Sequence, residues 1–398
     1  MILNKRRVLL VSEHFQPSTG ATAQLMNDLA SGLVKQNWRV VVLTATGGPE
    51  NSTTEDLTVI RLSSSIQSNN GVIGKAMKGT YFLISSLIWC LKHGNRGDVV
   101  LIVSNPPFIG LLGTILRKLK NMPYVFLFQD LFPQTAVISG LLPSSGPVAS
   151  SFQWLMNVIC KQAAKTVVLS DSMQTQLVQN LGQAESVTVI HNWAVEKALP
   201  IPLAKNPFAI QHGFQDRFTV QYSGNFGRLH DLKTLLDAAV ILHANPMQFI
   251  FIGGGAKQSQ IDNYCKFHSL SNVIRLHYQP RSTLKYSLGA CDLSVIGLIP
   301  GAENSMAPCK FYGILASGKG VLLIAKKNCD LAQLVLTAGI GLVVEPGESE
   351  ALADKLLQLS KNPQQVQDMG KRARSLYEKR FGRERSTLSY SSLLKSVR

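Results

Sequence analysis

Several loops in this sequence carry residues whose types and spacing could bind an anionic ligand. In the first, EHFQPSTGATAQ, His14 is followed by Gly20 and Thr22 at the predicted start of a helix. A helix N-terminus presents free backbone N–H groups and a partial positive charge, so it can bind a phosphate or a sugar hydroxyl. The alternative is an ordinary capped turn between a strand and a helix.

A second loop combines glycines with basic side chains. In YSGNFGRLHDLKTLL, Gly224 and Gly227 follow a predicted strand, and Arg228 and His230 precede a predicted helix. Glycine lets a ligand approach the backbone closely, and a base beside a helix start suits a diphosphate. A lone glycine pair is a weak signal, but the pattern is repeated further along the chain.

The repeat is FIGGGAK, where Gly254 and Lys257 follow another predicted strand. A tight turn with an exposed lysine is the alternative there. A later loop contains Glu303 and Lys310 before a short predicted helix at residues 311–316. An acid and a base at a helix start could hold sugar hydroxyls and phosphate, whereas a solvated surface lysine is the alternative.

Asp130 is the candidate for acid–base chemistry. It stands in FQDLFPQ, just after a predicted strand. A carboxylate at that position can orient or deprotonate a hydroxyl group, or stabilise developing positive charge. The alternative is an N-cap of the following turn, because Asp is a favoured cap. His14 and His191 are weaker candidates, since a packed or hydrogen-bonded histidine is the default for each.

The composition limits the classes of protein and partner. The 398 residues are 45% hydrophobic and 16% charged, which excludes a disordered chain. The net charge of +16 predicts an anionic partner: nucleic acid, an acidic membrane surface or a phosphorylated ligand. No nucleic-acid recognition module appears, so we expect no nucleic-acid partner. No C-x-x-C or aspartate-x-aspartate motif appears either, so we expect no metal site.

The cysteines and apolar runs bear on compartment. Six widely separated cysteines are predicted to be buried free thiols in a reducing compartment: Cys90, Cys160, Cys265, Cys291, Cys309 and Cys329. The apolar run 8–11 is too short for a signal peptide, and the run 81–91 is too short for a membrane-spanning helix. We therefore expect a protein that is cytoplasmic or peripheral to the inner face of a membrane.

Short apolar runs alternate with amphipathic stretches along the chain, which predicts α/β domains with parallel sheets. The stretch 198–217 has three prolines and little periodicity, and we interpret it as a linker. The predicted domains are 1–197 and 218–375, followed by a basic helix at 376–398. Ligands of such sheets bind beyond the carboxyl ends of the strands, which are expected to face each other across a cleft.

Two segments of the N-terminal half, 71–92 and 109–120, combine basic residues with apolar ones. Basic helices with apolar faces can lie in an anionic membrane interface, and Phe82, Trp89 and Leu119 are candidates for insertion if they are exposed. The alternative is that these apolar faces are core. We favour membrane association, with basic contacts from Lys75, Lys78, Arg117, Lys118 and Lys120.

The set of motifs resembles the retaining glycosyltransferases of the GT-B fold, in the family-four group of nucleotide-sugar enzymes. The matching stretches are HFQPSTG, SNPP, FQDLFPQ, HNW, YSGNFGRLHDLKTLLDAA, FIGGG, PCKFYGILASGKGVLLIA and VVEPGESEALADKL. They occur in family order between about residues 8 and 382. The most similar branch adds amino sugars or fucose-type sugars during capsule, O-antigen or colanic-acid assembly.

The resemblance implies two doubly wound, Rossmann-like domains and a C-terminal helix that crosses back to the N-terminal domain. It implies a UDP- or GDP-linked sugar donor, no cofactor, and a polyprenyl-diphosphate-linked or saccharide acceptor on the N-terminal domain. Asp130 is the implied catalytic residue. The implied acceptor or phosphate loop residues are His14, Gly20, Thr22 and Asn192. The implied donor-site residues are Gly224, Asn225, Arg228, Gly254, Lys257, Tyr278, Glu303 and Lys310.

The sequence departs from the family at a pair of glutamates that usually stand eight residues apart near the last donor-site helix. The corresponding positions are Ser305 and Gly313, and neither is acidic. Glu303 is a candidate substitute, and Lys310 becomes the better candidate for the diphosphate. Two alternatives stay open: a nucleotide-sugar epimerase of the same architecture, and a non-catalytic partner in a polysaccharide assembly complex.

Overall fold

The computed structural model describes residues 5–48, 54–62, 71–195 and 198–397. The chain divides into two compact units. Unit 1 comprises Met1–Val195, Ser305–Ala307 and Arg383–Arg398, and unit 2 comprises Glu196–Asn304 and Pro308–Gly382. The predicted end of the first domain, at residue 197, lies outside the described residues.

Unit 1 begins with alternating strands and helices. Its strands are β1 (Arg6–Val11), β2 (Trp38–Thr44), β3 (Leu57–Arg61), β4 (Val99–Val103), β5 (Tyr124–Leu127), β6 (Lys165–Val168) and β7 (Val187–Val189). Its first six helices are α1 (Ala21–Lys35), α2 (Val72–His93), α3 (Leu111–Lys120), α4 (Gln134–Ile138), α5 (Pro147–Gln162) and α6 (Asp171–Leu181).

The seven strands form one parallel sheet in the order β3-β2-β1-β4-β5-β6-β7. In its centre Leu9 aligns with Val41 on one side and Val100 on the other. These residues are buried because crossover helices cover both faces of a parallel sheet, which is why its central strands read as continuous apolar runs. The carboxyl ends of all these strands lie at one edge.

Unit 2 repeats the architecture. Its strands are β8 (Phe218–Asn225), β9 (Met247–Gly254), β10 (Val273–Leu276), β11 (Leu293–Gly297), β12 (Gly320–Ile324) and β13 (Gly341–Val344). Its helices are α7 (Pro207–His212), α8 (Lys233–Ile241), α9 (Gln258–Phe267), α10 (Leu284–Ser287), α11 (Lys310–Ala316), α12 (Asp330–Thr337), α13 (Ser349–Ser360) and α14 (Pro363–Arg380). The parallel sheet has the order β10-β9-β8-β11-β12-β13, so the predicted α/β class is confirmed for both units.

The segment predicted as a linker, 198–217, is largely folded onto unit 2. Asn206 caps α7, and its Oδ1 accepts hydrogen bonds from the backbone N–H groups of Phe208 and Ala209. Phe208 and Phe214 are buried against the sheet residue Ile250. The linker interpretation, which rested on three prolines and little periodicity, was wrong, because Asn206-Pro207 marks a helix start.

The last helix, α15 (Arg383–Ser396), belongs to unit 1. Trp38 Nε1 donates a hydrogen bond to Ser391 Oγ at 2.9 Å. An ion pair joins Arg383 Nη1 to Asp28 Oδ1 at 2.9 Å. A break at Phe381–Gly382 precedes this helix. The helix therefore begins later than the predicted residue 376. The C-terminal helix thus returns to the N-terminal sheet, as the resemblance implied.

All six cysteines are free thiols, and four of them are buried. Cys265 and Cys309 are partly exposed, so the prediction of burial was wrong for these two. Each lies on or beside a helix of unit 2 with one side open to solvent. No helix in the described ranges is both long and apolar enough to cross a membrane.

Candidate functional site

Two glycine turns meet at the carboxyl ends of β8 and β9. Gly224 has a φ of +130° and aligns with Gly253, which has a φ of +133°. A Cβ atom on Gly253 would lie 2.1 Å from the carbonyl oxygen of Gly224. Only glycine permits both the backbone conformation and this approach, so the two strands stay paired through the turns.

Hydrogen bonds fix the shape of these turns. Tyr222 Oη donates to the Asn225 carbonyl at 2.9 Å, and the Phe226 N–H donates to the Gly254 carbonyl at 2.8 Å. Tyr278 Oη also donates to Gly254, at 3.0 Å. Because several side chains hold the backbone from outside, the turns are set before any ligand arrives.

Lys257, a predicted donor-site residue, has a local partner. Its Nζ donates to the carbonyl of His230 at 2.6 Å, which ties the start of α9 to the loop before α8. Burial lowers the pKa of Lys257. The side chain therefore supports the loop directly, and it can reach a ligand only by sharing this hydrogen bond.

Lys310 lies at the first turn of α11 and points at the Gly224 turn. Its Nζ is 3.4 Å from the centroid of the Tyr222 ring, and a Cβ on Gly224 would be 3.6 Å from the same nitrogen. The nitrogen is shielded from solvent and has no hydrogen-bond acceptor among the described residues. Burial lowers the pKa of Lys310 well below its ordinary value. A shielded amine without an acceptor is a ready partner for an anion.

His230 is buried beside the same turn. Its Nδ1 donates to the Gly297 carbonyl at 3.1 Å. Burial, followed by the nearby Lys310 charge, lowers the pKa of His230 to about 3. The imidazole is therefore neutral near pH 7 and serves to join this loop to the end of β11. From the sequence alone, His230 was recognised only as a basic residue after the glycine pair. Its burial and its hydrogen bond to Gly297 were not predicted.

The remaining predicted donor residues differ in exposure. Asn225 and Arg228 are exposed on the glycine turn. Glu303 is buried in a short 3-10 helix, Ala302–Asn304, and its Oε2 has no hydrogen-bond partner among the described residues. A buried carboxylate oxygen without a donor can accept a hydrogen bond from a ligand hydroxyl. The structure gathers Gly224, Asn225, Gly254, Lys257, Tyr278 and Lys310 around the paired turns.

In unit 1, Asp130 follows β5. Its backbone forms an antiparallel bridge with Met306, and the next N–H, of Leu131, donates to the Ser305 carbonyl at 2.7 Å. Helix α4 begins only at Gln134 and has no side-chain cap, so the capping alternative for Asp130 is wrong for this helix. Desolvation raises the pKa of Asp130 to about 6. Since the residue is exposed, water offsets part of that desolvation.

The other predicted residues of unit 1 lie at three strand ends. His14 follows β1 and is exposed, with Nε2 3.8 Å from Glu13 Oε2, so the packed-histidine default is wrong for it. Gly20 is the N-cap of α1, and Thr22 lies half-buried in its first turn. That helix start has no side-chain cap, which leaves backbone N–H groups for a ligand or water.

The stretch HNW follows β7 and packs inward. Asn192 is buried, and Trp193 Nε1 donates to Asp28 Oδ2 at 3.1 Å. His191 Nδ1 lies 3.1 Å from the Leu169 carbonyl. This histidine is therefore hydrogen-bonded, which is the default expected for it from the sequence. Within the described ranges, no three His, Cys, Asp or Glu side chains are grouped to hold a metal ion.

Comparison with known families agrees with this division. Residues 20–193 match the family described as "Glycosyl transferase 4-like domain", and residues 206–376 match "Glycosyl transferases group 1". The chain carries two glycosyltransferase domains. Asp130 lies in the 4-like domain, and the paired glycine turns with Lys310 lie in the group 1 domain.

Two curated relatives are similar over part of this sequence. WbjE of Pseudomonas aeruginosa, named a probable glycosyltransferase, is 29% identical over 66% of this chain and 66% of its own length. WcaI of Escherichia coli (strain K12), named for colanic acid biosynthesis, is 26% identical over 46% of each chain. The matched regions therefore span less than two thirds of either relative.

A solved structure extends the likeness to the whole fold. HepE of Anabaena, crystallised with UDP and glucose, superposes with a TM-score of 0.74 at 17% sequence identity. The match covers 98% of this chain and all of HepE. At this identity the likeness concerns the fold, and it confirms the predicted GT-B class.

Proposed function

We propose that this chain transfers a sugar from a nucleoside diphosphate sugar to a lipid-linked or saccharide acceptor in surface polysaccharide assembly. The observation that carries the proposal is Lys310 in the group 1 domain. Its shielded Nζ has no acceptor and lies beside the glycine turn at Gly224. A diphosphate supplies the anionic oxygens that this nitrogen lacks.

The donor is held by unit 2. Backbone atoms of the glycine turns approach the diphosphate, Arg228 adds an exposed cation, and Glu303 accepts a hydrogen bond from a sugar or ribose hydroxyl. The crystal structure of HepE with UDP and glucose supports a nucleotide-sugar donor for this fold. We propose UDP- or GDP-linked sugars, and an amino or fucose-type sugar as the transferred group.

The acceptor is bound by unit 1, where Asp130 is exposed after β5. Its carboxylate orients or deprotonates the acceptor hydroxyl. A polyprenyl-diphosphate-linked sugar is the proposed acceptor, and the name of the relative WcaI supports a polysaccharide pathway. The acceptor loop includes His14 and the uncapped start of α1.

We propose transfer with retention and without a metal cofactor. As the bond between sugar and diphosphate lengthens, negative charge grows on the leaving phosphate. Lys310 and Arg228 oppose that charge, and a cation that is already desolvated stabilises it strongly. The group leaves as a nucleoside diphosphate, and the acceptor oxygen forms the new bond while its proton passes to a base. Asp130 is the candidate base.

The location that fits this acceptor is the inner face of the cell membrane, with the protein bound peripherally. The net charge of +16 supports it, because an anionic membrane surface attracts basic proteins.

The test is product formation with purified protein, a panel of UDP-, GDP- and dTDP-sugars, and lipid-linked saccharides extracted from cells. Mass spectrometry of the lipid fraction should show a gain of one sugar with one donor. An epimerase would convert the free nucleotide sugar without any acceptor. A non-catalytic partner would change neither substrate, and either of those results would contradict the proposal.

A further inference from the structure

Helix α2 exposes a continuous apolar stripe. Six of its side chains are between 36% and 79% exposed: Ile73, Met77, Tyr81, Ile84, Ile88 and Leu91. Their spacing of three or four residues places them within an arc of roughly 80°, along about 27 Å of helix. Below, this set of six residues is called the α2 face. Soluble proteins rarely leave so ordered an apolar surface uncovered.

The opposite side of the same helix is already packed. Phe82, Ser86 and Cys90 are buried, and a Cβ on Gly79 would lie 3.0 Å from Phe108. Phe82 is therefore no longer a candidate for membrane insertion, because it is buried on the inner side of the helix. The helix is apolar on two sides, and the unit covers only one of them.

The charged side chains on the helix that carries the α2 face and on its neighbour α3 have one sign. Neither α2 nor the neighbouring α3 contains an acidic residue. Exposed or half-exposed cations on the two helices are Lys75, Lys78, Lys92, Arg117 and Lys118. Leu119 on α3 is 67% exposed and adds apolar surface. Lys120 instead donates to the Gly94 carbonyl at 2.7 Å, so its part is structural.

We propose that the α2 face is the surface by which this protein docks on an anionic lipid bilayer, with α2 lying in the plane of the interface. The apolar side chains enter the boundary between headgroups and acyl chains, while the flanking lysines contact anionic headgroups. The inference deepens the proposed function, since a polyprenyl-linked acceptor is presented at such a surface. It assigns docking to named residues of one helix.

Charge favours a bilayer over a second copy of the chain. Two copies joined through this face would bring Lys78 and Lys92 of each against the basic margin of the other. No acidic residue on α2 or α3 could pair with them. An anionic bilayer satisfies both the apolar stripe and its basic margin.

Co-sedimentation with vesicles tests the assignment. The full chain is mixed with vesicles of phosphatidylcholine, with and without about one third phosphatidylglycerol. The first variant combines Ile73→Asn, Ile84→Asn and Ile88→Asn. The second combines Lys78→Glu, Lys92→Glu and Lys118→Glu. The control is Phe267→Asn in unit 2, where Phe267 is 84% exposed on a different helix.

Wild type and the control should bind the anionic vesicles, and each triple variant should bind at least about tenfold more weakly. Raising the salt concentration should weaken wild-type binding. Equal binding by wild type and both triple variants would overturn the proposal, as would binding of none. The proposal would also be overturned if light scattering gave wild type the mass of two chains and gave both triple variants the mass of one chain.

Donor binding separates this inference from the proposed function. Both triple variants should bind a nucleotide sugar as wild type does, which also shows that they are folded. A Lys310→Met variant should bind vesicles as wild type does. Suppose that the triple variants lose vesicle binding but that neither wild type nor any variant binds a donor. That result would support docking and contradict the proposed function.

Discussion

The Nζ of Lys310 lies 3.4 Å from the centroid of the Tyr222 ring. A cation at the face of an aromatic ring is stabilised by the ring's negative π face. Among the described residues this nitrogen has no hydrogen-bond acceptor. Tyr222 in turn donates its hydroxyl hydrogen to the Asn225 carbonyl, so one side chain positions both the cation and the turn.

Replacing Lys310 with Met should weaken binding of the donor nucleotide sugar. A charge-assisted contact contributes about 1.5–3 kcal/mol, which corresponds to a loss of affinity of roughly 10- to 100-fold. Met keeps most of the length and the packing on Tyr222. Calorimetric titration measures the effect, with the exposed Lys266→Met in the same unit as the matched control. Unchanged affinity in Lys310→Met would place the diphosphate elsewhere.

Donor affinity should fall as the pH rises through the pKa of Lys310. Burial lowers that pKa in the free protein, and a bound diphosphate raises it again because it favours the charged amine. Between the two pKa values binding takes up a proton, and affinity falls by at most about tenfold per pH unit. His230 does not contribute, since its pKa of about 3 keeps it neutral.

The measurement for this linkage is calorimetry in two buffers of different ionisation enthalpy. At a pH above the lowered pKa of Lys310, wild type should show proton uptake on binding, and Lys310→Met should show less. Lys257 also has a lowered pKa, so any uptake that survives in the variant is assigned to it. Equal uptake in both proteins would show that Lys310 is already charged in the free state.

Asp130→Asn should reduce turnover much more than stability. The change removes the charge and the proton acceptor, so the rate should fall by about 10²- to 10⁴-fold if Asp130 is the base. The melting temperature should stay close to wild type, because the residue is exposed and caps no helix. Asp354→Asn, at an exposed position on α13, is the control. A wild-type rate would remove Asp130 from the chemistry.

Asp130 also predicts a pH dependence. With its pKa raised to about 6 by desolvation, the carboxylate is the active form above that pH and is lost by protonation below it. The rate at limiting donor should therefore decline on the acid side, near or below pH 6. The acid limb should be absent from the residual activity of Asp130→Asn, and an identical limb in both proteins would assign it to another group.

Gly253→Ala should destabilise the protein more than Gly182→Ala. Both glycines have positive φ, but the new Cβ at 253 meets the Gly224 carbonyl oxygen at 2.1 Å, whereas position 182 is open. The strain at Gly182 alone costs about 1–2 kcal/mol, and the clash at 253 should add at least about 2 kcal/mol. Thermal unfolding measures both, and equal melting temperatures would contradict the paired-turn geometry.

Much of the fold could be predicted from the sequence because parallel strands buried on both faces read as apolar runs. The four-residue spacing of leucines over residues 21–35 predicts one helix, and α1 has these bounds. The apolar runs 218–222 and 248–252 predict two strands, but β8 and β9 continue past these runs to Asn225 and Gly254. Glycine breaks the apolar pattern, whereas the backbone ladder continues through the aligned Gly224 and Gly253.

Less of the site could be predicted, since it depends on contacts between distant segments. The glycine loops and Lys310 were recognised, but nothing in the spacing showed that Tyr222 lies under the Lys310 nitrogen. The burial of Phe82 was also hidden, because a helix that is apolar on two sides does not reveal which side packs inward. The exposed stripe of α2 became visible only once the inner side was fixed.

The central claim is that the group 1 domain binds a nucleoside diphosphate sugar through Lys310. The most direct measurement is a thermal-shift screen of UDP-, GDP- and dTDP-sugars against wild type and Lys310→Met in parallel. At 100 times the dissociation constant a donor adds about 2.7 kcal/mol of stability, which is several degrees in melting temperature. We predict that at least one nucleotide sugar raises the melting temperature of wild type, and that at the same concentration it raises that of Lys310→Met by about half as much or less. No shift with any donor, or the same shift in both proteins, would contradict the account.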